Sequence, residues 1–127
     1  MRIKIYILAA IMLAFFNHEE DCQTQKMMEK ILAEDLFALH RDSNSEYFLY
    51  QNEYTEKCNN IRFGNKLLKL SKDTTGRVFI IKDIQYDTLK HFAKMAIFLP
   101  SDNMLLNGQF THAGKGWELE NLSFIEY

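Results

Sequence analysis

The chain has 127 residues, 47% of them hydrophobic and 25% charged, and a formal charge of −2. That balance belongs to a folded chain and not to a disordered one, and the length holds one core but not two domains. The basic residues are scattered, with no dense run. This argues against nucleic-acid binding and against a polybasic membrane-surface binder, both of which need a concentrated positive patch.

Met1-Arg2-Ile3-Lys4 leads into an apolar run from Ile5 to Phe16. Two positive charges before a short greasy stretch is the layout of a secretory signal peptide. The run is too short for a stable membrane span, which takes about 20 apolar residues. The expected organisation is a signal peptide over residues 1–16 and a single α+β domain over residues 17–127, delivered to the periplasm or secreted. Ala14 is the best small residue before a cut, but Met12 two places earlier is not small. An uncleaved anchor is therefore a second reading, and a buried first element of the domain a third. Cys22 lies behind His18-Glu19-Glu20-Asp21, too far from the apolar run for a lipoprotein. Once Arg2 and Lys4 are removed from the 15 basic residues, 13 stand against 17 acidic ones, a charge of −4.

An exported chain with two cysteines, Cys22 and Cys58, is expected to join them in one disulfide. No Cys-x-x-Cys suggests redox work, and two cysteines so far apart lack a zinc-ligand spacing. Asp21 or Thr24 can cap a helix. Met28, Ile31, Leu32, Leu36 and Leu39 then recur at mostly three- and four-residue steps. The Asp42-Ser43-Asn44-Ser45 cluster ends that helix. Tyr47, Tyr50 and Tyr54 have a spacing that slightly favours a second helix over a strand.

Strands follow. Ile61 and Phe63 alternate, as do Leu68 and Leu70, with a bulge or turn at Gly64-Asn65 and a turn at Asp73-Thr74-Thr75-Gly76. Val78, Ile80, Ile84 and Tyr86 are expected on one face, with Phe79 and Ile81 on the other, so the first half of this strand is covered on both sides. Ala93, Met95, Ile97 and Leu99 alternate with Phe92, Lys94, Ala96 and Phe98. Pro100-Ser101-Asp102-Asn103 turns, and Met104, Leu106, Gly108 and Phe110 form the next alternating set. Ala113-Gly114-Lys115-Gly116 turns back. Trp117 and Leu119 are out of phase with Leu122 and Phe124, which predicts a bulge near Glu120-Asn121 or two of these residues on an outer apolar face.

This order gives an α+β fold in which an N-terminal helix packs on a curved antiparallel β-sheet meander. It resembles the cystatin-like and NTF2-like superfamilies. The ending Gly114-Lys115-Gly116-Trp117-Glu118-Leu119-Glu120-Asn121-Leu122 is similar to the last hairpin of small exported bacterial members. Gln109-Phe110-Thr111-His112-Ala113 does not match the Gln-x-Val-x-Gly hairpin of cystatin protease inhibitors, so cysteine-protease inhibition is not implied. Catalytic NTF2-like proteins place an acid and a tyrosine inside a cone, but no spacing here selects such a pair.

Candidate ligand-binding residues are Tyr50, Tyr86, His91, His112 and Trp117. Aromatics with polar tips suit contact surfaces, although ordinary core and rim positions use the same residues. His91 and His112 fall on neighbouring elements and, with an acid such as Asp83, could move protons. Two unrelated exposed histidines at strand ends are the blander account. His40 near a helix end can complement the dipole. Asn121-Leu122-Ser123 fits the glycosylation pattern but sits in an expected strand. No catalytic residue, metal site or cofactor is assigned, since no nucleophile elbow, phosphate loop, His-Glu-x-x-His or calcium loop is present.

The function these features favour is a non-catalytic exported binding module for a protein or a small apolar ligand. An immunity or inhibitor protein is one version. An NTF2-like enzyme moving a proton on a small apolar substrate is the alternative, and it requires a deep cavity with an ionisable side chain. A homodimer through the open face of the sheet is a third.

Overall fold

A computed structural model describes Cys22 and residues 24–127, apart from residues 59, 88 and 115. The expected signal peptide, the Asp21 cap and His18 lie outside the described residues. The chain runs through helix α1 (Thr24–Leu32), a 3-10 turn (Asp35–Phe37) and helix α2 (Ala38–Asp42). It continues through strands β1 (Phe48–Tyr50), β2 (Arg62–Phe63), β3 (Lys66–Leu67) and β4 (Lys69–Ser71). The long strands are β5 (Val78–Asp87), β6 (Phe92–Leu99), β7 (Met104–Ala113) and β8 (Gly116–Glu126). The fold is α+β.

Thr24, Met27, Met28, Ile31 and Leu32 form the buried stripe of α1, and burying each large side chain is worth about 1.5–3 kcal/mol. Thr24 is the first residue of α1, and its hydroxyl donates to the Tyr54 carbonyl at 3.2 Å. The expected single helix through Leu39 breaks after Leu32. Glu34 is extended (ψ 153°), and the Arg41 guanidinium reaches back to donate to the Leu32 and Glu34 carbonyls, each at 2.7 Å. These bonds satisfy carbonyls that a continuing helix would have used. The restart shifts the phase, so Phe37 enters the core while Leu39 is 85% exposed. Phe37 thus joins the stripe, Leu36 packs half-buried against the core as expected, and Leu39 leaves it.

The main sheet has the order β4-β1-β5-β6-β7-β8, and β2 and β3 pair separately as a hairpin. An antiparallel meander accounts for β5 to β8 only. β1 pairs in parallel with both β4 and β5, so the sheet is mixed. Phe48 to Tyr50 is a strand, not a second helix. The tyrosine spacing is explained by the turn that follows, where Tyr54 N–H donates to Asn52 Oδ1 and Asn52 N–H to the buried Thr55 hydroxyl. That turn brings Cys58 to Cys22, and the two form a disulfide with Cα atoms 5.3 Å apart.

Gly64 and Asn65 form the turn of the β2–β3 hairpin, with Gly64 at φ 63°. The first half of β5 is buried on both faces, as expected. An extra residue at Lys82 then shifts the register, so Ile84 lies opposite Met95 and Tyr86 opposite Ala93. Ile84 and Tyr86 thus share the core face with Phe79 and Ile81, and the face expected to unite them with Val78 and Ile80 is divided by the bulge. β6 and β7 alternate as expected. In β8 the slip occurs as expected too, since Gln109 pairs with Asn121 while Phe110 pairs with Leu119.

Helix α1 runs closest to β8 and sends Ile31 across to β7 at Gly108. A Cβ there would stand 2.8 Å from Ile31 Cδ1 and 3.1 Å from the Phe110 ring, so the missing side chain makes room for the end of Ile31. Gly108→Ala is expected to lower stability by about 1–3 kcal/mol through overpacking. Ile31→Val, which deletes the obstructing atom, should recover part of that loss in a double-mutant cycle followed by chemical denaturation. Strictly additive losses would contradict the contact. Replacing Cys22 and Cys58 together by alanine should lower the unfolding free energy by about 4 kcal/mol in the chain-entropy description. Urea unfolding would test this, and an unchanged midpoint at unchanged slope would contradict it.

Candidate functional site

Four of the five expected ligand-binding residues meet at one end of the sheet. Tyr86 is at the end of β5, His91 in the β5–β6 turn, His112 at the end of β7 and Trp117 at the start of β8. The Tyr86 and Trp117 ring centroids are 6.0 Å apart, and the His112 and Trp117 rings meet edge to face at 5.0 Å. His91 and His112 lie 6.4 Å apart, and the His112 N–H donates to the His91 carbonyl at 2.8 Å. His91 holds a left-handed backbone, φ 51°, which closes the turn and is uncommon outside glycine.

The Tyr86–Trp117 contact also reports the shape of the sheet. β5 and β8 are three strand spacings apart, about 14 Å in a flat sheet. Rings from these two strands meet only if the sheet curls over its helix face. The small residue Ala93 occupies the β6 position beside Tyr86. Tyr86 is 43% exposed and Leu89, in the adjoining turn, is 93% exposed. A shallow depression of about 490 Å3, lined by Gln85, Tyr86, Asp87, Lys90, Phe92 and Lys94, borders the group.

Tyr50 does not belong here. It lies on β1, whose parallel register with β5 (Phe48 beside Val78, Leu49 beside Phe79) sets it level with Ile80, roughly 20 Å along the strand from Tyr86 at about 3.4 Å per residue. Its carbonyl accepts the Thr55 hydroxyl. Asp83 does not serve the histidines either. It lies opposite Ala96, accepts from Gln85 Nε2 at 2.9 Å and from the Tyr54 hydroxyl at 3.4 Å. Proton transfer by His91 and His112 thus lacks the acid proposed for it.

The interior between helix and sheet is filled by side chains such as Met27, Met28, Ile31, Phe37, Phe63, Phe79 and Phe110, all 0–1% exposed. The buried polar residues among those described are Thr24 and Thr55, neither of which titrates near neutral pH. Among the described residues, no group of three or more His, Cys, Asp or Glu could hold a metal ion. No helix of the described residues is long and apolar enough to cross a membrane.

At the opposite end, Tyr47 stacks on Phe79 at 5.7 Å and meets Phe63 edge-on at 5.2 Å. His40 Nε2 lies 2.7 Å from Asp102 Oδ2, tying α2 to the β6–β7 connection. This is a tertiary pairing that a dipole argument does not foresee. Burial raises the Tyr47 phenol, Asp102 adds to the rise, and Arg77 opposes it. Beside Tyr47 lies a cleft of about 600 Å3 between β1, β4 and the β2–β3 hairpin. Only the alternation of Leu68 and Leu70 pointed toward this cleft, because its walls come from three separate elements.

No family model, curated protein or solved structure matches this chain.

Burial holds the Tyr86 phenol above its ordinary value of 10.0. The folded state favours the neutral phenol, so this contribution to stability is complete below the ordinary value and is lost as pH rises through the raised one. Urea unfolding repeated between about pH 9 and pH 11 should show stability falling, with a shallower fall in Tyr86→Phe. Identical slopes in the two proteins would contradict the assignment.

Proposed function

We propose that this protein is a non-catalytic exported binding module whose contact surface is the ring group of Tyr86, His91, His112 and Trp117. The surface would hold a protein or a small apolar ligand. The observation that carries this reading is the convergence of those four side chains, from four segments of the chain, at one accessible edge of a curled sheet. Aromatic and imidazole rings combine apolar faces with polar tips, the chemistry enriched at recognition surfaces. An immunity or inhibitor protein is one version of this function. The disulfide supports a periplasmic or secreted destination, since such bonds persist in oxidising compartments.

A helix laid across a four-strand antiparallel meander supports kinship with cystatin-like or NTF2-like proteins, from which the parallel pairing of β1 departs. The enzymatic alternative draws no support from the interior, where packed side chains occupy the place a reactive cavity would need.

Trp117 is the single tryptophan of the chain, so its emission reports directly on the proposed surface. Immobilised wild-type protein and a Tyr86→Ser/Leu89→Asp variant are to be compared in capture from the native envelope. The reading predicts a partner that wild type retains and the variant loses, and whose binding shifts Trp117 emission. Equal capture by both proteins, or substrate turnover without capture, would contradict it.

A further inference from the structure

The cleft beside Tyr47 stands at the other end of the sheet and has a different chemistry from the ring group. Its volume of about 600 Å3 is typical of small-molecule sites, which span about 300–1,000 Å3. Phe63 and Leu68 are buried beneath it, Tyr47, Phe48 and Leu70 are half-buried, and Leu67 stands 53% exposed on the rim. The lining is therefore apolar along its length.

The polar groups of the cleft are Lys66, Lys69 and Glu46. Lys66 Nζ donates to the Ser43 and Ser45 carbonyls at 2.6 and 3.1 Å, and among the described residues it has no carboxylate partner. Lys69 Nζ lies 3.7 Å from Glu46 Oε1, with the two side chains 72% and 66% exposed. Such a pair is weak and readily displaced. Two ammonium groups against one carboxylate leave the cleft positive. An apolar trough with a positive rim complements a molecule that is apolar along its length and anionic at one end.

We propose that this cleft binds a free single-chain amphiphile with a carboxylate head, its tail along Tyr47, Phe48, Leu67 and Leu70 and its head at Lys69. The tail would cover apolar surface now facing water, and the head would take a charge-assisted contact from an ammonium. The site does not depend on the ring group or on any partner held there.

Dodecanoate, kept below its micelle concentration, tests this when titrated into the purified protein while backbone amide shifts are read by NMR. Dodecyltrimethylammonium and phosphatidylglycerol vesicles are the parallel arms. Saturable shifts are expected at residues 46–48 and 66–70, with dodecanoate bound about tenfold more tightly than the cation of equal tail. Lys69→Gln should weaken dodecanoate about three- to tenfold, and Leu67→Asp should abolish its binding. Both positions are exposed, and an unchanged melting temperature verifies that each variant folds. The proposal is overturned if no shifts occur, if they fall at the Tyr86–Trp117 end, if the cation binds as well, or if both variants bind like wild type. Binding of vesicles in place of the monomer would also overturn it, by making the partner a bilayer.

Discussion

Helix α1 runs closest to β8 and reaches across to β7 through Ile31, whose side-chain end takes the space that a Cβ at Gly108 would need. The Ile31 side chain fills the space, Met27, Met28 and Leu32 follow on the same stripe, and the apolar faces of β5, β6 and β7 close around them. The Cys22–Cys58 bridge fixes the start of this helix to the loop after β1. Arg41 holds its end through two carbonyls. A helix held at both ends gives the sheet a surface to curl over.

That curl gives the two ends of the sheet separate characters. At one end it draws Tyr86 toward Trp117 across three strand spacings and sets His112 against the indole, forming an accessible ring surface. At the other, the Phe37, Phe63, Phe79 and Tyr47 rings close the core, while the β2–β3 hairpin leaves a cleft beside edge strand β4. Both surfaces surround an interior filled by buried side chains.

How much of this was legible depended on whether the cause was local. β6 and β7 alternate strictly because each is buried on one face. The Pro100–Asn103 turn carries its own backbone preferences, and the β8 bulge shows as a change of apolar phase. The cysteine pair was readable from export logic. β1 was not readable, because three residues have no period of their own and their partners lie about thirty residues away. The helix break was hidden because its cause, Arg41, comes nine residues after Leu32. The bulge at Lys82 left no mark, so Tyr86 was assigned to the wrong face. For the site, residue type singled out Tyr86, His91, His112 and Trp117, but misreading β1 added Tyr50 to them. The lysine-rimmed cleft is assembled from three elements and exists only after folding.

The most direct measurement is a methyl-resolved NOE experiment on the folded protein with the disulfide intact. The account predicts a strong cross-peak between the Ile31 δ-methyl and the Gly108 α-protons, accompanied by Ile31 contacts to the Phe110 ring. Absence of these peaks, with the α1 methyls instead reporting neighbours on another helix, would contradict a helix packed on the sheet through Ile31 at that glycine.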